Sequence, residues 1–255
     1  MRAIVHPAIT RSLRVPESLT LPDRPTAAAA GALPDRRVPV FATLPWAAMI
    51  VRHGQPGVRA GLVFRPETAR RSVWSEMIRD RDALLWKDSV MLTWGAIARD
   101  PDLAIRLGGG SVFVRPDSGL KPFTGFVAAS ADELRLEIAS RPHVDAAEIC
   151  HAAPVRVPEG PELRVWVSAG TAVSSASYGW SADDEDASPR WAADGVRLAE
   201  TAARDLETVD EAFVLDLCLY RGDPRIVELN AYATSGWYRG ADPDAIIEGG
   251  RAAIG

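Results

Sequence analysis

The chain has 255 residues, 47% of them hydrophobic, and a formal charge of −5. That length buries a substantial core, as one large domain or two packed subdomains, while the acidic balance leaves no basic stripe to neutralise a phosphate backbone and so excludes a general nucleic-acid binder. Two cysteines, Cys150 and Cys218, are too few for a disulfide scaffold and fall in apolar runs that read as buried thiols, and no run is long enough to span a bilayer.

The first 83 residues carry the weakest signals. Residues 1–5 meet His6 and Pro7 at once, without the apolar stretch of a signal peptide, so the cytoplasm is the expected compartment. Residues 2–5, 38–44 and 57–64 read as strands, and 66–82 as a helix opened by Pro66 with Val73 and Met77 inward, together a small α/β lobe suited to helping hold a second substrate. Residues 26–31 fit a loop or one helical turn. His6, His53, His143 and His151 lack metal-ligand spacing and read as structural or surface residues.

Only two of the 29 basic residues are lysines, and one of them, Lys121, sits in residues 111–125: an apolar strand, a short turn, then a second strand from Phe123. An ammonium is a compact point charge and a guanidinium a planar fork, so the two are not interchangeable beside a polyphosphate. Residues 111–125 therefore read either as a nucleotide loop or as a hairpin turn with a solvated lysine. Ser130 and Glu133 have capping-box spacing and announce a helix to about residue 140.

Residues 161–167 alternate, placing Glu162, Arg164 and Trp166 on one face, and Ser168, Ala169 and Gly170 turn the chain into a strand over 171–178. Arg164 either stabilises charge developing on a transferring phosphoryl group or pairs with an acid across a solvated face. Ser174, Ser175 and Ser177 have no partner pattern for nucleophilic catalysis. The acidic residues 183–186 read as a mobile solvated loop near enough to the active-site hairpin to act as a lid. Ser188 and Pro189 open a helix to about residue 207 that buries Trp191, Val196, Ala199, Ala202 and Leu206.

Residues 213–220 and 225–232 read as a hairpin around Arg221, Gly222, Asp223 and Pro224. Alternation puts Asp216 with Val214 and Cys218 on one face, and Glu228 with Ile226 and Asn230 on a face of the partner strand, leaving Leu215, Leu217, Leu219, Val227 and Leu229 for the other side. Asp216 and Glu228 then stand about 5 Å apart, where like charges repel and call for something positive between them. Two carboxylates and an amide oxygen suit magnesium; the alternative is a pair of acids on a solvated outer face. A last helix starts at Asp242 and Pro243. Hairpins covered by helices make an α+β protein.

In order, Arg115 and Lys121 within residues 113–125, Glu162 and Arg164, Ser177 and Tyr178, Asp216, Glu228 and Asn230, and finally Ser235 to Tyr238 resemble the ATP-grasp superfamily over roughly residues 84–250. The resemblance is closer to a divergent branch, the R2K-type clade, that holds uncharacterised bacterial and phage ATP-grasp proteins and eukaryotic translation-factor assembly proteins. It implies an ATP-grasp fold in residues 84–255, with a small subdomain at about 84–157 and a large one at about 158–255, two antiparallel sheets with helices gripping ATP, behind the N-terminal α/β lobe of residues 1–83. It further implies that Arg115 and Lys121 bind the nucleotide phosphates, and that residues 150–157, among them Cys150, Ala153 and Val155, form the hinge strand whose backbone reads adenine. Arg164 would contact the transferring phosphate, Glu162 would orient the site, and Asp216, Glu228 and Asn230 would hold Mg2+. Leu163 and Trp237 depart from the family's usual aromatic and phenylalanine, which bears on the second-substrate pocket.

The implied activity is that of an ATP- and magnesium-dependent ligase joining a carboxylate to an amine through an acyl phosphate, on a small molecule, a peptide or a protein. The alternatives are a magnesium-ATP-binding assembly factor for a partner protein, without ligase turnover, and a phosphotransferase. Neither nucleic acid nor a membrane is an expected partner.

Overall fold

A computed structural model describes residues 1–11, 13, 15–179, 189–206 and 209–255. The chain opens with a small parallel sheet of β1 (Ile4–Val5), β2 (Leu19–Thr20) and β3 (Val40–Phe41), in the order β2-β1-β3. Around it come α1 (Pro7–Thr10), α2 (Ala27–Gly31), α3 (Leu44–His53), α4 (Pro56–Ala60) and α5 (Arg71–Met77). Ile4, Val40, Trp46 and Ile50 share one buried cluster that holds the lobe together. Residues 26–31 take the helical option, because the Thr26 hydroxyl accepts the Ala29 N–H at 3.1 Å and caps the turn.

Two expectations change here. Residues 57–64 do not begin as a strand: Pro56 needs no hydrogen-bond acceptor at the first turn of a helix and starts α4 instead. The helix expected over 66–82 shortens to α5, since the Asp117 carboxylate accepts the Ser72 N–H at 2.7 Å at one end and Ile78 turns extended at the other. Its buried side is Arg71, Trp74 and Ser75, while Val73 and Met77 are only half-buried.

The next segment is a lobe of β4 (Val90–Thr93), α6 (Trp94–Arg99), α7 (Pro101–Leu107), β5 (Val112–Pro116), β6 (Phe126–Ala128), α8 (Ala131–Ala139) and β7 (Ile149–Pro154). Its strands pair antiparallel in the order β4-β7-β5-β6. Val112 and Val114 face Trp94, Ile97, Ala104 and Leu134 from the helices, which turns Phe113 and Arg115 to the opposite face. The capping box at Ser130 is present: its hydroxyl accepts the Glu133 N–H at 3.2 Å.

The longest strands form the third sheet, β8 (Glu162–Ser168), β9 (Thr171–Tyr178), β10 (Ala212–Tyr220) and β11 (Asp223–Ala231), antiparallel in the order β11-β10-β8-β9. Both hairpins turn on two residues with positive φ, Ala169 and Gly170 in one and Arg221 and Gly222 in the other, the geometry that matches the twist of the flanking strands. Helix α9 (Ala192–Leu206) buries Ala199, Ala202 and Leu206 against Leu163, Val165, Leu215 and Leu229. Ser188 and residue 207, the helix limits expected from the sequence, and the acidic residues 183–186 lie outside the described residues.

On the other face, Trp166 and Val214 pack with Tyr232, Trp237 and α10 (Pro243–Ile254), and with Val5 and Phe41 of the N-terminal lobe. Asp216 pairs with Glu228 as the alternation predicts, but a register shift follows at once, so that Leu217 meets Ile226. This bulge leaves Val227 as the extra residue. Ile226 consequently joins the α9 side, and Val227 joins the face that looks toward the small lobe, the reverse of the simple alternation.

Candidate functional site

The site lies where the small lobe faces the upper part of the large sheet. Strand β5 carries the buried Arg115 one residue before its end, and the loop after it is anchored at Asp117. The Asp117 carboxylate accepts hydrogen bonds from the Ser72 N–H and hydroxyl at 2.7 and 2.8 Å and from His151 Nε2 at 2.9 Å, while Ser89 Oγ lies 3.1 Å from His151 Nδ1. Burial pushes this carboxyl up, but the His151 and Ser72 hydrogen bonds outweigh it and bring it down to about 2. Burial, the largest influence on His151, lowers its pKa against the opposing pull of the Asp117 hydrogen bond.

This anchor sets the start of the loop that carries Lys121. Lys121 has φ 48°, a left-handed conformation that costs a residue with a Cβ about 1 kcal/mol. Its ammonium donates to Glu228 and to Asn230 Oδ1. Arg115 Nη2 reaches the other Glu228 oxygen at 3.1 Å, and its Nη1 donates to the Val227 carbonyl at 3.3 Å. Burial opposes ionisation of Glu228, and Lys121 and Arg115 overcome it, holding the carboxyl well below the usual range.

Arg164 is fixed by the strand beside it. Its Nε and Nη2 grip Asp216 at 2.7 and 2.8 Å, its Nη1 donates to the Gly236 carbonyl at 3.1 Å, and Asn230 Nδ2 donates to Asp216 at 2.8 Å. The Tyr178 hydroxyl donates a hydrogen bond to the Glu162 carboxylate. Burial first, then the Asp216 charge, push the Glu162 carboxyl up to about 7. Tyr178 stacks on Tyr238 with centroids 4.5 Å apart, and Arg164 lies 5.2 and 5.1 Å from the two ring centres.

Six of the residues singled out from the sequence therefore converge: Arg115, Lys121, Arg164, Asp216, Glu228 and Asn230. The positive charge expected between Asp216 and Glu228 is supplied by Arg164 on one acid and by Lys121 and Arg115 on the other. Glu162 stands at the margin, beyond Tyr178.

The three hinge residues are dispersed. Cys150 pairs with Leu92 and Pro116 inside the small sheet, and its thiol is buried and pushed up to about 12. Ala153 is packed in an apolar cluster with Leu85, Trp86, Cys218 and Val227, where Trp86 stacks on Phe113 at 4.3 Å. Val155 lines a neighbouring cavity of about 430 Å³ with Leu85, Arg156 and Tyr220.

One residue escaped sequence reasoning. Arg71 is 2% exposed and donates from Nη2 to the Trp86 carbonyl at 2.6 Å, but its Nε and Nη1 are buried without partners. Burial, then the Arg115 charge, pull its guanidinium down to about 9. Among the described residues Arg71, Arg115, Lys121 and Arg164 thus face Asp216, Glu228 and, at the loop anchor, Asp117, an excess of positive charge that suits a polyanion. Nothing in the pattern around Arg71 marks it out, since its role follows from where α5 packs.

Among the described residues no group of three His, Cys, Asp or Glu side chains converges. Two carboxylates and an amide oxygen do, on paired strands, and that donor set fits magnesium, which keeps waters and takes phosphate oxygens as further ligands. Among the described residues no helix is long and apolar enough to cross a membrane.

Comparison with known proteins agrees with this geometry. Residues 64–249 match the model of the ATP-grasp domain, R2K clade family 3. No curated protein matches the chain in sequence. The fold is similar to that of a RimK domain ATP-grasp protein from Sphaerobacter thermophilus (TM-score 0.58, 13% identity, 100% of this chain and 97% of that one). It is also similar to D-alanine–D-alanine ligase from Bacillus anthracis (TM-score 0.54, 13% identity, 100% and 98%) and to the D-cycloserine synthetase DcsG (TM-score 0.53, 14% identity, 98% of each chain). With the family model spanning most of its length, and with antiparallel sheets and helices facing each other across a cleft of cations and acids, the chain belongs to the ATP-grasp proteins, in family 3 of the R2K clade.

Proposed function

We propose that the protein is an ATP- and magnesium-dependent ligase that joins a carboxylate to an amine. The observation that carries this reading is the meeting of small-lobe cations with large-lobe acids: Lys121 and Arg115 on Glu228, and Arg164 on Asp216. Each partner has a counterpart in magnesium-ATP. Phosphate oxygens would take Lys121, Arg115 and Arg71, and Asp216, Glu228 and Asn230 would hold the metal, which supplies charge neutralisation for the transferring phosphoryl group. The base would lie toward Val155, at the cavity it lines with Leu85, Arg156 and Tyr220.

A carboxylate oxygen of the acid forms a bond to the γ-phosphorus as the bond to the bridging oxygen breaks, releasing ADP. Arg164, held rigidly by Asp216 and the Gly236 carbonyl, faces the charge on the acyl phosphate. The amine nitrogen then bonds to the acyl carbon and phosphate leaves. Glu162, its carboxyl pushed up to about 7 beside Tyr178, would take the proton that the amine loses. A peptide or protein as one of the two substrates is compatible with this scheme.

Calorimetric titration with ATP, in magnesium and in chelator, tests the reading first. Nucleotide at a hundred times its Kd should also raise the stability by about 2.7 kcal/mol. ADP release on addition of an acid and an amine, with Arg164→Ala binding ATP normally but not turning over, completes the test. Parallel loss of binding in that variant would remove Arg164 from its assigned role.

A further inference from the structure

The large sheet borders a second opening, at the end away from Arg164. A cavity of about 620 Å³ lies there, between the Ala169 and Gly170 turn, the last turn of α9 and the end of α10. Strand β10 puts roughly 13 Å between Ala212 at this end and Asp216, so the cavity stands clear of the cleft. Small side chains keep it open. Ala203 and the buried Phe213 form an apolar floor, and Ala252 and Ala253 stand along the side given by α10. At Gly170 an added Cβ would meet no heavy atom within 4 Å.

One charged group is buried in this apolar setting. Asp210 is 8% exposed, and its Oδ1 accepts the Glu211 N–H at 2.9 Å. Arg65 keeps its Nε 4.0 Å from that same oxygen, beyond hydrogen-bond reach, and is itself 57% exposed. Among the described residues no group donates to Oδ2. Burial pushes this carboxyl up, and a buried carboxylate is costly unless a donor or a cation answers it. Glu211 also lines the cavity, but it is exposed and its charge is hydrated. On the rim, the exposed Arg204 donates to the Thr201 hydroxyl at 3.2 Å and pairs with no acid among the described residues.

We propose that this cavity binds a free amino acid with an apolar side chain, its ammonium on Asp210 Oδ2, its carboxylate on Arg204 and its side chain over Phe213 and Ala203. Such a ligand brings the donor that Oδ2 lacks and the anion that Arg204 lacks, on an apolar body that suits walls of alanine and glycine. The site is independent of the ligase reading, since none of its residues takes part in that scheme.

The test is ligand-observed NMR on the full chain without nucleotide. The probes are leucine, 3-methylbutylamine, which lacks the carboxylate, and 4-methylpentanoate, which lacks the ammonium. The wild type should bind leucine, bind the amine about threefold more weakly, and leave the acid unbound. Asp210→Asn should weaken leucine by about tenfold or more. Arg204→Gln should bring leucine down to the level of the amine and leave the amine unchanged. Ala252→Phe, at an exposed position on the rim, should close the cavity and abolish leucine binding with Tm unchanged. Absence of leucine binding to the wild type, or acid binding as tight as that of leucine, would overturn the site. So would leucine binding that survives Asp210→Asn or Ala252→Phe undiminished. Failure of the wild type to bind ATP would instead remove the ligase reading and leave this site standing.

Discussion

The Lys121 ammonium crosses from the small lobe to the Glu228 carboxylate of the large lobe, and Arg115 takes the second oxygen of the same acid at 3.1 Å. The groups suited to phosphate are thus neutralised by the groups suited to metal. On the proposed reading, binding of magnesium-ATP would be an exchange of partners in which neither set is left uncompensated.

Glu228→Gln should destabilise the protein by about 2 kcal/mol, because Arg115, 10% exposed, would stay buried with its counter-charge removed, while Lys121, 35% exposed, would be rehydrated. Urea denaturation of the two proteins measures this. A change within error would mean that both cations relax into solvent.

Asp216→Ala and Glu228→Ala should each make nucleotide affinity insensitive to magnesium. The measurement is the ratio of Kd values in magnesium and in chelator, well above one for the wild type and close to one for the variants. A preserved ratio would remove these acids from the metal site.

Arg71→Met should move two quantities in opposite directions. Replacing a buried guanidinium with two unpartnered nitrogens by an apolar chain should leave stability unchanged or raise it by about 1 kcal/mol. ATP affinity should fall at least tenfold, since a phosphate ligand is lost. Melting curves and calorimetry on the same sample read both, and a fall in stability with unchanged affinity would make Arg71 a structural residue.

Glu162 should leave a mark on the pH profile of stability. Its carboxyl is raised from 4.5 to about 7 in the folded protein, so the stability it contributes is complete below about pH 4.5 and is lost as pH rises through about 7. Glu162→Gln should abolish that component, making the variant more stable than the wild type at pH 8 by on the order of 2 kcal/mol. Denaturation midpoints at pH 5 and pH 8 decide it: parallel profiles would mean that Glu162 ionises normally.

The large sheet was legible because its strands are long. Eight or nine alternating residues in β9, β10 and β11 state which side each side chain faces, and Asp216, Glu228 and Asn230 follow from that together with the hairpin. The bulge at Val227 was not legible, because the extra residue is defined only by the register of two strands. Strands of two residues, as in the N-terminal lobe, carry no alternation to read. Arg71 stayed hidden for a related reason: it acquires its role from the packing of a short helix against a distant segment, at Trp86.

The small lobe is joined to the rest of the chain at both ends through one narrow place. Leu85 donates its N–H to the Ile226 carbonyl at 2.9 Å on the outer strand of the large sheet, while Arg156, just beyond β7, binds the Leu85 carbonyl and reaches Asp88 at 2.7 Å. The outgoing and returning chains are thereby stitched side by side along one line, with the Lys121 to Glu228 contact lying off that line. Swinging about the stitched line parts Lys121 and Arg115 from Glu228, so the lobe is built like a door with its pintle at Leu85 and Arg156 and its latch at these two cations.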